Sequence, residues 1–246
     1  LFRSLAEKKT FVCYGECGAR LDLPPADVPI QLTQDMKRQV SDEETTADHR
    51  VLFEELVYKL ENRARTDGIK PKCCFLSYAW RDLTNGLEEP NVERWVARLA
   101  EDLGKAGHEV ILDQTHNEHF GKDITRFIEL IPKSDRVLVV GTPLYLKKYK
   151  NKRFKMGTVV AAEMHLVNQR LTGTDKERET VIGLLLSGEE KKSFPPMLCG
   201  RNYADFRDKS DYFARAFDLM LTLYGIGFQQ PGIDEWQQRL RGDRHV

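Results

Sequence analysis

From residue 72 onward, short apolar runs alternate with segments whose apolar residues recur every three or four positions. The first run, 72–78, contains Cys73-Cys74-Phe75-Leu76-Ser77-Tyr78 between two polar, turn-forming stretches. An apolar run without alternation predicts a strand buried on both faces, as at the centre of a parallel sheet. Further strands are predicted at 109–112, 136–140, 181–186 and 202–206. Helical spacing lies between them: Val92, Trp95, Val96, Leu99 and Leu103, stopped by Gly107; then Ile124, Phe127, Ile128 and Ile131; then 158–171; and finally 211–224, capped by Ser210. Strands alternating with helices imply an α/β fold: a flavodoxin-like, five-stranded parallel sheet of order 2-1-3-4-5 with helices on both faces. Ligands of such sheets bind beyond the carboxyl ends of the strands where the order reverses, which directs attention to loops 79–91 and 141–157.

Three regions are expected: an N-terminal extension over 1–70, the α/β domain over 71–228 and a tail over 229–246 with a turn of helix around 235–240. In the extension, Cys13 and Cys17 flank a glycine. They suit either a β-hairpin with two ordinary thiols or one half of a zinc site, for which no second cysteine pair lies nearby. Residues 24–46, rich in Pro, Asp, Glu and Thr, predict a linker. Over 47–64, Leu52, Leu56 and Leu60, with Phe53 and Val57 beside them, predict an amphipathic helix packed on the following domain.

Charge adds one exclusion. Lys plus Arg and Asp plus Glu both number 38, so bulk electrostatics argue against nucleic acid as a partner. The apolar runs are too short to span a membrane and no leader pattern is present, so a cytoplasmic setting without membrane partners is expected. Five cysteines, two of them within a strand, fit a reducing compartment. The first residue is Leu, and a longer parent chain is expected.

Glu163 is the main candidate for chemistry. Helical geometry places it about 60° from the centre of the stripe Val160, Met164, Val167 and Leu171. Partial desolvation there would raise its pKa and suit acid/base or cation-stabilising work; the plainer alternative is a boundary Glu paired with a neighbouring cation. Six of the nine residues over 147–155 are Lys or Arg, a solvated run or an anion-attracting one. Trp80 and Arg81 follow the first strand, where a Trp could stack on a ligand ring and an Arg pair with phosphate, or Trp80 could simply pack the loop. His116 and His119 flank Glu118 without a strong third ligand. P-loop, G-x-G-x-x-G, G-x-S-x-G and H-E-x-x-H patterns are missing from the sequence.

Several blocks in order resemble the TIR domain, in its bacterial TIR/SEFIR-like branch. They are Phe75-Leu76-Ser77-Tyr78; Val110-Ile111-Leu112-Asp113 with Gly121-Lys122-Asp123-Ile124; the stretch 134–143 ending Gly141-Thr142-Pro143; Phe194-Pro195-Pro196; and Tyr203-Ala204-Asp205-Phe206. The stretch 13–25 resembles a cysteine-bearing segment that precedes such domains in large multidomain bacterial proteins. The resemblance implies self-association with other TIR domains through the loop after the second strand, here with Asn117, Glu118, His119 and Phe120. It also implies cleavage of the nicotinamide–ribose bond of NAD+, with NAD+ as substrate, no cofactor and no metal. Glu163 takes the catalytic position, and Ser77, Trp80, Arg81, Asp113 and Val159 the substrate-binding ones. Enzymatic relatives often carry an aromatic residue where Val159 stands, and basic residues where Ala79 and Trp80 stand. The alternative function is a non-catalytic adaptor that mediates homotypic contacts.

Overall fold

A computed structural model describes residues 3–4, 11–14, 20–22, 34–79, 92–112, 131–150 and 158–242, with side chains from Ala47 onward except at 131, 158–162, 164 and 166. The chain divides into two units, Leu1–Asp48 and His49–Val246. In the first, β1 (Arg3–Ser4), β2 (Phe11–Tyr14) and β3 (Arg20–Asp22) form an antiparallel sheet. The expected hairpin is β2–β3, with Cys13 opposite Leu21; Cys17, and with it the zinc alternative, lies outside the described residues. Helix α1 spans Gln34–Thr66, so the predicted linker is helical from Gln34. Its last proline is Pro29, and the helix formers that follow, Gln34, Met36, Lys37, Arg38 and Gln39, meet no breaker.

The second unit holds β4 (Cys73–Ser77), α2 (Val92–Lys105), β5 (Glu109–Ile111), β6 (Arg136–Gly141), α3 (Pro143–Lys150), α4 (Thr158–Thr172), α5 (Asp175–Arg178), β7 (Val181–Leu185), α6 (Glu190–Ser193), β8 (Tyr203–Asp205), α7 (Tyr212–Tyr224) and α8 (Ile233–Arg241). The strands are all parallel, in the order β5-β4-β6-β7-β8. Counted within this unit that is 2-1-3-4-5, the predicted flavodoxin-like topology. The helix predicted around 124–131 lies outside the described residues except for a 3-10 turn at Ile131–Lys133.

Both faces of the sheet are covered, which is why the strands lack polar alternation. Leu76, Leu138, Val140 and Leu184 point to one face, under α1, α2, α7 and α8. Phe75, Val137, Val139 and Leu185 point to the other, under α3 and α4. On α1, Phe53, Leu56, Val57, Leu60 and Ala64 are buried in the first of these cores. The compact unit His49–Val246 takes in this part of α1. The expected C-terminal tail joins the same core: Ile233 and Leu240 of α8 are buried, and Gln237 donates to Asp218 of α7. A buried polar cluster ties α1, α2 and α7. Asp102, fully buried, pairs with Arg50 at 2.7 Å and accepts the Tyr212 hydroxyl at 2.7 Å.

Ser210 does not cap α7. It sits in a 3-10 turn, and its backbone N–H and hydroxyl both donate to Asp208. Asp208, two residues earlier, caps that 3-10 turn. At the C-terminal end of β6, a Cβ on Gly141 would come within 2.8 Å of Phe194 Cζ and closer still to Cε1 and Cδ1 of that ring. Phe194 is 1% exposed and has no room to retreat. Gly141→Ala should therefore cost about 1–3 kcal/mol by overpacking, seen as a lower urea midpoint with unchanged slope.

Candidate functional site

The described part of the site is built at the carboxyl ends of β4 and β6, where the strand order reverses. Ser77 closes β4 opposite Val139 of β6. Immediately after β6, Thr142 and Pro143 start α3. The Thr142 hydroxyl accepts the Tyr145 N–H at 3.1 Å, and Pro143 fills a position whose N–H would have no helical partner. This brings Tyr145 back over the strand ends. Its hydroxyl lies 3.0 Å from Ser77 Oγ, and both side chains are fully buried.

Glu163 comes from α4, with 5% of its surface exposed. It stands one and two turns before Val167 and Leu171, both buried against the sheet. It thus belongs to the buried stripe rather than to its flank, and its desolvation is greater than helical spacing alone predicts. Two contacts fix α4. Tyr149 of α3 donates to Asn168 at 2.7 Å, and Arg170 donates to the Ser134 carbonyl at 2.8 Å, beside the start of β6. Burial pushes the Tyr145 phenol above its ordinary range; the Ser77 hydrogen bond opposes this, and the negative charge of Glu163 adds to it. Tyr145 therefore stays a neutral hydroxyl, able to donate one hydrogen bond and accept another. A buried carboxylate near enough for its charge to act on Tyr145 can stabilise positive charge developing on a ligand.

Of the other predicted substrate-binding residues, Val159 lies in the first turn of α4 with its side chain outside the described set. Trp80, Arg81 and Asp113 lie outside the described residues, as do His116, Asn117, Glu118, His119 and Phe120. From the basic run, Lys147, Lys148 and Lys150 fall on α3, a helix the strand-breaking Gly141-Thr142-Pro143 had not suggested. Tyr145 was missed by sequence reasoning. The signal available was Thr-Pro, a helix start that aims the third residue back at the strand it leaves. Among the described residues no group of His, Cys, Asp or Glu is placed to hold a metal ion, and no helix is long and apolar enough to cross a membrane.

Among solved structures, a prokaryotic SEFIR domain is similar, with 25% identity and a TM-score of 0.45, over 62% of this chain and 98% of that one. No curated protein matches the chain. The family model of the TIR domain matches residues 74–221. That span is more than half of the chain and runs from β4 into α7, and the chain accordingly belongs to the TIR-domain family.

Proposed function

We propose that this domain is a signalling module that works by homotypic association with other TIR domains. The observation that supports this reading is the family match across the five parallel strands, from β4 into α7. The loop over 114–122, with Asn117, Glu118, His119 and Phe120, is the proposed contact. Light scattering over a wide range of protein concentration should show a mass that rises above the monomer. Alanine at all four loop positions should hold it at the monomer. A protein that stays monomeric throughout would remove this reading.

A second reading is favoured by Glu163 itself: cleavage of NAD+ at the nicotinamide–ribose bond. Nicotinamide leaves as a neutral molecule from a cationic ring, so the step needs no general acid. The positive charge that develops on the ribose is what a nearby carboxylate stabilises. Ser77 and Tyr145 would supply neutral hydrogen bonds close by. Incubating the assembled protein with NAD+ should release nicotinamide, and the rate should rise more than linearly with protein concentration if a neighbouring copy helps close the site. No release under any assembled condition leaves association alone as the function.

A further inference from the structure

On the opposite face of the sheet from α3 and α4 lies a cleft of about 670 Å³, between the N-terminal half of α2, the ends of β7 and β8 and the start of α7. Its floor is aromatic. Trp95 and Phe206 meet edge to face with ring centroids 5.0 Å apart, and Tyr212 packs against both. Phe206 and Tyr212 are buried, while Trp95 keeps part of its surface free. Its walls are cationic: Arg94 and Arg98 from α2 face Arg207 and Lys209 from the segment after β8.

These cations are not equivalent. Arg207 is held by Asp205, with Nε at 2.9 Å from Oδ1. Arg98 lies 4.0 Å from the Tyr212 ring centroid and 4.0 Å from an Asp102 oxygen. Arg94 and Lys209, on opposing walls and both exposed, have no ion-pair partner among the described residues. Among the described residues, these two cations line the aromatic-floored cleft without a counter-anion. The cleft also begins at the N-terminal turn of α2, where the helix field favours negative charge. Its volume falls in the range of small-molecule sites and exceeds what a lone phosphate would fill. It lies beyond the carboxyl ends of β7 and β8, apart from the reversal of strand order between β4 and β6.

We propose that this cleft is a second site, one that binds an aromatic phosphate of mononucleotide size, with the ring against Trp95 and the phosphate between Arg94 and Lys209. The proposal is independent of the role of Glu163, because the two places are separated by the sheet. Calorimetric titration of the full chain with AMP, adenosine and inorganic phosphate tests it. Saturable AMP binding is expected, tighter than that of either fragment. The double variant Arg94→Ala, Lys209→Ala should weaken AMP by about tenfold or more, since each change removes a charge-assisted contact. Both positions are exposed, so the variant should melt like the parent. Trp95→Leu should weaken AMP and adenosine but not phosphate, and Glu163→Gln should leave AMP binding unchanged. Three results would overturn the proposal: no saturable AMP binding, phosphate binding as tightly as AMP, or an unchanged AMP affinity in the double variant.

Discussion

Glu163→Gln should lower nicotinamide release from NAD+ by about 10²–10³ while leaving self-association intact. The amide keeps the shape of the side chain and removes only its charge. The side chain is 5% exposed, and because Gln matches its size and helix propensity the variant should fold with little change in stability. If the charge acts on the cationic transition state, the loss falls on kcat, with a much smaller change in KM. Tyr145→Phe offers a graded companion. It removes the hydroxyl that Ser77 meets at 3.0 Å and should reduce turnover less than the loss of the carboxylate does. A folded Glu163→Gln protein that cleaves NAD+ at the parental rate would show that Glu163 is a structural group of α4.

The second large effect concerns pH. Stability should fall by about 2 kcal/mol between about pH 7.5 and about pH 5, and His108→Asn should remove most of that fall. His108 is 3% exposed, and its Nδ1 accepts the Lys72 N–H at 3.0 Å, so this nitrogen is unprotonated in the folded state. Its ring lies 4.4 Å from that of Tyr224. Burial, helped by the charge of Lys72, pushes the imidazole down from its ordinary 6.5 to about 4. Between those values the unfolded chain binds the proton and the folded chain does not. The contribution is therefore fully present above about pH 6.5 and is lost as pH falls toward about 4. Asn keeps an acceptor for Lys72 but does not titrate. Urea unfolding of both proteins at the two pH values measures the difference, and an equal pH dependence in parent and variant would assign it to other groups. His108 joins the start of β4 to the approach to β5, at the end of the sheet away from Ser77, so its role is in stability.

What could be foreseen from the chain was what depends on local pattern. Strands buried on both faces must be apolar throughout, and helices covering them must carry a stripe. The alternation of the two is enough to predict the sheet and its order. The same logic located Ser77 at a strand end and Glu163 on a helix leading away from the reversal of strand order. Local pattern also has a limit, visible at both edges of the domain. The helical spacing of Leu52, Leu56 and Leu60 predicted a helix packed on the following domain, but not that it shares one core with α2, α7 and α8. A stripe shows that a face will be buried without showing what buries it.

The remaining features were decided by contacts between residues far apart in the chain. Ser77 and Tyr145 are 68 positions apart, and Asp102 and Tyr212 are 110 apart. The depth of Glu163 depends on how α3 and α4 close over the strand ends, through Tyr149 to Asn168 and Arg170 to Ser134. The cationic cleft exists only because α2 and the segment after β8 meet above two strand ends, setting Arg94 opposite Lys209. Sequence spacing determines which way a side chain faces on its own element. Whether it ends in water, in a core or across from a like charge is set by the element that packs against it, and that is a property of the assembled fold.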